Sequence, residues 1–390
     1  MDFKLEERVL TIYLNGRIDT SNAEEREKEI MAICQENDYQ KIVLDADTLE
    51  YISSAGLRVV LRLRKAEPTL CIVNASADVY DIFEMTGFTE MIPVEKGFRH
   101  LSVDGCKVIG AGAKGTVYRY DAETIIKVYK NPDSLPDIKN ERELARKAFI
   151  LGIPTAISYD IVRVGNSYGS VFELLNANSF SQMIAAEPDQ LEKYVKIYAD
   201  LLRQIHETIV KPTDMPDIKL KIAQWLNDDK EILSEESFAK LEKLIADVPD
   251  TLNMLHCDYH TNNIMMQNGE TLLIDMDTLS HGHPIFELAN TYITYVGFGI
   301  CDPSIVEKFI GLPYETAKKI WELFLPLYLR TDDAEKVADV ERKAKLLSDV
   351  RLMRHVARRG GMDTEEGRKT IALCKESIEN LLEQVDTLNF

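Results

Sequence analysis

The run His256-Cys257-Asp258-Tyr259-His260-Thr261-Asn262-Asn263-Ile264, followed by Leu272-Leu273-Ile274-Asp275-Met276-Asp277, sets carboxylates and an amide between short apolar stretches. Phosphoryl transfer asks for such a set: a carboxylate to orient the attacking hydroxyl and hard oxygen ligands to hold Mg2+ against the phosphates. On this reading Asp258 is the catalytic base, Asn263 and Asp275 are the metal ligands, and a strand pair around Ile264 and Leu273 sets their separation. A zinc site at His256, Asp258 and His260 is the competing reading. It ranks lower because it leaves Asn263 and Asp275 without a role and no additional ligand cluster is evident.

Upstream, Lys107-Val108-Ile109-Gly110-Ala111-Gly112-Ala113-Lys114-Gly115-Thr116-Val117-Tyr118 contains a GxGxxG, a weak signal alone. A dinucleotide-binding turn needs a helix after the third glycine, yet Thr116 to Tyr120 alternates and Ile125 to Tyr129 is a second β-like run after the Asp121-Ala122 turn. Gly110, Gly112 and Gly115 are therefore expected in a hairpin over ATP phosphates, with Lys127 holding those phosphates and the next helix supplying an acid to orient it. Glu143 is the expected acid and Glu141 the alternative. Residues two apart do not share a helix face, so one of the two points inward.

A third constellation lies near the N-terminus, where Tyr51-Ile52-Ser53-Ser54-Ala55-Gly56-Leu57-Arg58 joins a strand to a helix. A phosphate on Ser54 would meet the free N–H groups of the helix start and add about -1.5 to -2 charge, enough to repel an acidic partner. From position alone, a plain N-cap is the commoner meaning of either serine.

These residues need elements to carry them. Val9 to Leu14 alternates and Gly16 closes the run, as a strand and turn would; Thr20-Ser21-Asn22 then precedes an amphipathic helix with Glu24 and Glu25 in its first turn. Strand-like Ile42 to Leu44 and Leu70 to Val73 alternate with helical Leu57 to Leu63 and Val79 to Met85, the latter stopped by Gly87. That alternation indicates an α/β layer. Past Val103-Asp104-Gly105 come three short β-like runs, a charged helix over Glu141 to Phe149, and mostly helices beyond Asn178. With 390 residues, two domains meeting near residue 104 are expected.

A formal charge of -19 argues against nucleic acid or an anionic membrane as partner; a cationic substrate or a protein suits it better. The six cysteines are scattered without a CxxC pair, the start Met1-Asp2-Phe3-Lys4 is unlike a secretory leader, and no apolar run approaches the length of a membrane span. A reducing, cytoplasmic setting is expected.

Two resemblances sharpen this. Leu14-Asn15-Gly16-Arg17-Ile18-Asp19-Thr20, Ile42-Val43-Leu44-Asp45, Ile52-Ser53-Ser54-Ala55-Gly56-Leu57 and Met85-Thr86-Gly87-Phe88 stand in an order that resembles STAS proteins over roughly residues 1 to 103. In that family the serine at the place of Ser54 is phosphorylated by an anti-sigma kinase, and the unphosphorylated form binds that partner. Many members carry Asp just before it, where this chain has Ser53. From Gly105 to at least Tyr295 the motifs resemble the aminoglycoside phosphotransferase and choline kinase superfamily, which implies a protein-kinase-like fold. Expected are an α/β STAS domain at 1–104 and an α+β bilobal kinase-like domain at 105–390. The latter has a small lobe at about 105–172 and a helical lobe at about 176–390. A hinge at Phe172-Glu173-Leu174 would place Glu173 at the nucleotide. His206 reads as structural, and Glu287 replaces the family's usual Asp, which should weaken a structural contact rather than abolish catalysis.

The resemblance implies ATP and Mg2+ as cofactors and a small-molecule hydroxyl as acceptor, with an anti-sigma factor or another protein as partner of the STAS part. A signalling protein whose kinase-like half phosphorylates Ser54, or senses nucleotide, is the alternative. In the tail, Arg351, Arg354, His355, Arg358 and Arg359 form a basic cluster, expected as a solvated helix face paired with nearby acids. Tyr292, Tyr295 and Phe298 suit either an acceptor pocket or core packing.

Overall fold

A computed structural model describes residues 1–112 and 114–390; Ala113, within the glycine-rich run, lies outside the described residues. The N-terminal sheet runs in the order β1 (Phe3–Glu6), β2 (Val9–Ile18), β3 (Lys41–Ile52), β4 (Cys71–Ala75) and β5 (Val94–Lys96). β1 pairs antiparallel with β2 and the rest are parallel. Helices α1 (Ala23–Glu36), α2 (Ser54–Ala66) and α3 (Ala77–Met85) form the crossovers. Each crossover steps to the next strand in the same direction, and right-handed connections then put all three helices on one face. Alternate residues obey this: Leu10, Ile12, Leu14, Ile42, Leu44 and Ala46 are buried in one core with Leu57, Val60 and Phe83.

Gly16 does not end β2. The strand runs on to Ile18, and register shifts on both sides of Gly16, which sits at φ +68°, absorb it as an irregularity in the pairing with β3. Just before α1, the Asn22 amide donates to the Arg17 carbonyl and its Oδ1 accepts from the Asp19 N–H, so this side chain ties down the loop and makes no cap hydrogen bond to the helix.

A six-stranded sheet follows, in the order β6 (Arg99–His100), β10 (Asp160–Val164), β11 (Ser167–Glu173), β9 (Thr124–Tyr129), β8 (Gly115–Arg119) and β7 (Lys107–Ala111). The helix α4 (Leu135–Ile150) lies between β9 and β10 in the chain. Ile126, Val162 and Val171 form its small core, with Leu101 and Val103 packed against them. The compact units differ from the expected domains. One comprises Met1–Tyr120, Ile126–Pro132 and Asp160–Val171, and the other Asp121–Ile125, Asp133–Tyr159 and Phe172–Phe390. Strand β6 gives a physical reason: it continues from the first sheet and pairs in parallel with β10, so residues before and after 104 share one unit.

In the second unit most of the chain is helical, around one large core that includes Tyr198, Tyr259, Phe286, Tyr295 and Phe324. Two short antiparallel strands, Ile264–Gln267 and Glu270–Leu273, form a hairpin within it. Among the described residues no helix is long and apolar enough to cross a membrane.

Candidate active site

Residues 256–263 form a loop fixed from several sides. Tyr259 and the fully buried Tyr198, on the helix Leu191–Glu207, each donate a hydroxyl hydrogen bond to the other's backbone carbonyl, at 2.6 and 3.0 Å. The Thr261 N–H donates to the Tyr295 hydroxyl at 2.9 Å. Buried polar groups that find such partners hold a single loop conformation, because any alternative leaves them unsatisfied. Cys257 adopts φ +64°, a region that an L-residue enters at a cost of about 1–3 kcal/mol and only where its surroundings hold it there. Those surroundings are Glu287, whose Oε2 accepts from the Cys257 N–H at 2.7 Å, and Asn290, whose amide donates to the Cys257 carbonyl at 3.2 Å.

Asp258 follows directly, with its side chain 38% exposed. Asn263 Nδ2 donates to the Asp258 carbonyl oxygen at 3.0 Å and to its Oδ2 at 3.3 Å. Burial alone would raise the Asp258 carboxyl, but hydrogen bonding and charge from His260, with His256 and Arg351 adding to it, bring it down to about 2. Asp258 is thus an anion at neutral pH, able to accept a hydrogen bond from a hydroxyl.

The hairpin sets the other distance. Ile264 pairs with Leu273, and one step further the Ile274 N–H donates to the Asn263 carbonyl at 3.0 Å, so Asp275 follows immediately from a position pinned opposite Asn263. Asp275 takes φ +63°, which turns the chain out of the hairpin. As metal ligands the two suit a hard cation. Asn263 spends its NH2 on Asp258, its Oδ1 has no hydrogen-bond partner among the described residues, and Asp275 brings a carboxylate. The zinc reading finds no ligand set. His256 is fully buried with Nδ1 accepting from the Asp258 N–H at 3.3 Å, and no three His, Cys, Asp or Glu groups among the described residues converge as metal ligands.

In the first unit, β7 and β8 pair antiparallel, so the glycine-rich run is a hairpin and not a strand-to-helix turn. Gly110 lies in β7 at a register shift, and the Gly112 N–H donates to the Gly115 carbonyl at 2.9 Å. A Cβ on Gly115 would stand 2.5 Å from the Val128 carbonyl oxygen, so strand packing alone demands glycine there; around Gly112 there is open space. Lys127 lies in β9, with its ammonium 5.5 Å from the centre of the Tyr129 ring.

Glu143 needs correction. Its carboxylate, 46% exposed, binds the Arg146 guanidinium through two hydrogen bonds of 2.9 and 3.0 Å, whereas Glu141 is buried at 8% exposure. The inward acid of α4 is Glu141, since the helix turns Glu143 some 200° away from it. Glu173 is the last residue of β11, exposed, and the next N–H, of Leu174, donates to the Glu123 carbonyl. Glu287 holds a structural contact of the loop, accepting from the Cys257 N–H. His206 is buried between the Tyr328 hydroxyl at 2.7 Å and Glu287 at 3.8 Å. Tyr292 and Tyr295 are core residues, Tyr292 edge-on to Trp321. The tail cluster is only partly a solvated face. Arg354 pairs with Asp228 and Asp229, and Arg351 hydrogen-bonds Asn290 from the helix Ala334–Ala357, a contact no local pattern announced.

The two serines before Gly56 divide their work. Ser53 is the N-cap of α2, its hydroxyl accepting from the Ala55 N–H at 3.2 Å, while Ser54 is exposed and its hydroxyl has no partner among the described residues. Gly56 must be small, because a Cβ there would lie 2.6 Å from the Ile52 side chain.

Comparison with known proteins finds two families along the chain. The phosphotransferase enzyme family model matches residues 105–310 and the STAS domain model residues 1–101. BtrV of Bordetella bronchiseptica, named as a candidate anti-sigma factor antagonist, is 38% identical over 90 residues, which are 22% of this chain and 77% of that protein. Among solved structures, a thermostable aminoglycoside phosphotransferase APH(4)-Ia is similar with a TM-score of 0.49 at 13% identity, over 72% of this chain and 94% of that one. A choline/ethanolamine kinase family protein from Mesorhizobium loti has a TM-score of 0.46 at 12% identity, over 71% and 91% of the two chains. The chain belongs to the phosphotransferase enzyme family through residues 105–310 and carries a STAS domain ahead of it.

Proposed function

We propose that the chain is an ATP- and Mg2+-dependent phosphotransferase acting on a hydroxyl of a small molecule, with the STAS domain as its regulatory module. The observation that carries this reading is the pinned trio: Asn263 bonded to Asp258 and held by the hairpin opposite the residue before Asp275. In this reading Asp258 accepts the hydrogen bond of the acceptor hydroxyl and aims its oxygen at the γ-phosphorus. The new O–P bond forms as the bond to the ADP oxygen breaks, and the hydroxyl proton leaves by way of Asp258 to water. Asn263 and Asp275 would hold Mg2+, which when bound would supply charge neutralisation on the phosphates. In this reading Gly110, Gly112 and Gly115 are assigned to the phosphates and Lys127 to holding them, Glu141 is taken as the acid of the helix that follows, and Glu173 as the hinge residue for the nucleotide. Purified protein with Mg-ATP and a panel of hydroxyl compounds should release ADP in an acceptor-dependent manner, and Asp258→Asn should lose this by at least ~10²-fold. Absence of release with every acceptor would refute the reading.

A second reading is favoured by the exposed, unpartnered hydroxyl of Ser54: the kinase domain phosphorylates that serine, or senses nucleotide, in an anti-sigma-antagonist type of signalling. Mass spectrometry after incubation with Mg-ATP tests it. An unmodified Ser54 in protein that binds nucleotide removes the self-phosphorylation version.

A further inference from the structure

Three cations converge on one indole in the helical part of the chain. The Trp225 ring lies 5.2 Å from the Lys221 ammonium, 5.6 Å from the Arg351 guanidinium and 4.7 Å from that of Arg354. Arg354 is discharged by Asp228 and Asp229. Lys221 and Arg351 are not: neither has a carboxylate within ion-pair distance among the described residues, in a chain with 65 acidic against 46 basic residues. Arg351 is half-buried, and its one hydrogen bond goes to the neutral amide oxygen of Asn290. The Asp258 and Glu287 carboxylates act on this guanidinium through space, but among the described residues neither bonds to it, so its planar fork keeps donors for an oxyanion from outside the chain.

The place of these donors points to their use. Asn290 donates to the carbonyl of Cys257, so the Arg351 guanidinium is two hydrogen bonds from the residue that precedes Asp258. Building on the phosphotransferase reading, we propose that the acceptor carries an anionic group, a carboxylate or phosphate, besides its hydroxyl, and that Arg351 and Lys221 bind that group beside Trp225 while the hydroxyl meets Asp258. Arg351 presents the planar fork that suits such oxyanions; Lys221, exposed on the helix Ile218–Asp228, adds a point charge.

Two arms separate this proposal from the reading beneath it. The first needs no turnover: inorganic phosphate is titrated calorimetrically into the full-length protein. Millimolar binding that survives in Lys127→Ala but weakens at least ten-fold in Lys221→Glu and in Arg351→Gln is expected. Binding absent from the wild type, or unchanged in both latter variants, overturns the proposal, as does binding lost only in Lys127→Ala. The second arm measures ADP release with hydroxy acids and sugar phosphates against neutral polyols and against amino alcohols. The anionic compounds should have kcat/KM at least ten-fold higher, with Lys221→Glu raising their KM and sparing kcat and the KM for ATP, and Arg351→Lys retaining more activity than Arg351→Gln. A preference for neutral or cationic acceptors overturns the proposal and leaves the phosphotransferase reading standing. No turnover with any acceptor refutes that reading, and the phosphate titration still decides whether the anion site exists.

Discussion

Replacing Glu287 tests how the loop that carries Asp258 is held. This carboxylate is fully buried, accepts the Cys257 N–H at 2.7 Å and stands 3.8 Å from His206. Burial works against its ionisation, but His206, His256 and the Cys257 N–H more than compensate and hold its carboxyl below the usual range. Glu287→Ala removes a charge-assisted hydrogen bond, worth about 1.5–3 kcal/mol, and leaves the Cys257 N–H and the buried His206 imidazole without that partner, for a total of ~3–5 kcal/mol. Glu287→Gln keeps an oxygen in place for the Cys257 N–H and should cost only ~1–2 kcal/mol. Trp225 and Trp321 are the two tryptophans of the chain, and both lie in this unit, so intrinsic fluorescence reports its unfolding and not that of the STAS domain. At ~2–4 °C per kcal/mol for a unit of this size, the alanine variant should melt ~6–20 °C below the wild type and the glutamine variant ~2–8 °C below. A glutamine variant as damaged as the alanine variant, or an alanine variant within ~1 kcal/mol of the wild type, would refute the assigned role.

Other outcomes follow from single contacts. Glu141→Gln should raise the KM for ATP ten-fold or more, whereas Glu143→Gln, which loses only an exposed pair with Arg146, should stay within about two-fold; steady-state kinetics of the pair checks this. Ser53→Ala should cost the STAS domain ~1 kcal/mol through its lost N-cap and Ser54→Ala less than ~0.5, read by circular dichroism melts of residues 1–104 within the whole chain. His283 is held down to about 4 by burial, with His206 and Lys343 adding to it, and its Nδ1 accepts from the Ile285 N–H. The unfolded chain takes that proton near 6.5, so stability should fall by up to ~3 kcal/mol as pH drops from 6.5 to 4, and His283→Gln should flatten the pH dependence of unfolding.

Much of the site was legible because its residues are close in sequence. Asp258, Asn263 and Asp275 sit on one loop and one hairpin, and the apolar runs around Ile264 and Leu273 already implied that pairing. The alternation after Gly115 likewise excluded a dinucleotide turn. What stayed hidden depends on distant partners. The choice between Glu141 and Glu143 turns on which face of α4 is buried, and both faces carry charge. The irregularity at Gly16 arises from a mismatch with β3, which lies beyond the helix that separates the two strands. Arg351 reaches Asn290 across sixty-one positions; the only sequence signal was the placement of Glu287 and Asn290 on an otherwise apolar helix, where buried polar groups demand partners.

The most direct test of the metal-centred trio is Mn2+ binding by electron paramagnetic resonance in the presence of a non-hydrolysable ATP analogue. Wild-type protein should bind Mn2+ only with the nucleotide, and Asp275→Asn and Asn263→Ala should each weaken that binding at least ten-fold while the chain stays folded. Mn2+ binding that is indifferent to both substitutions would contradict the placement of the metal between these residues.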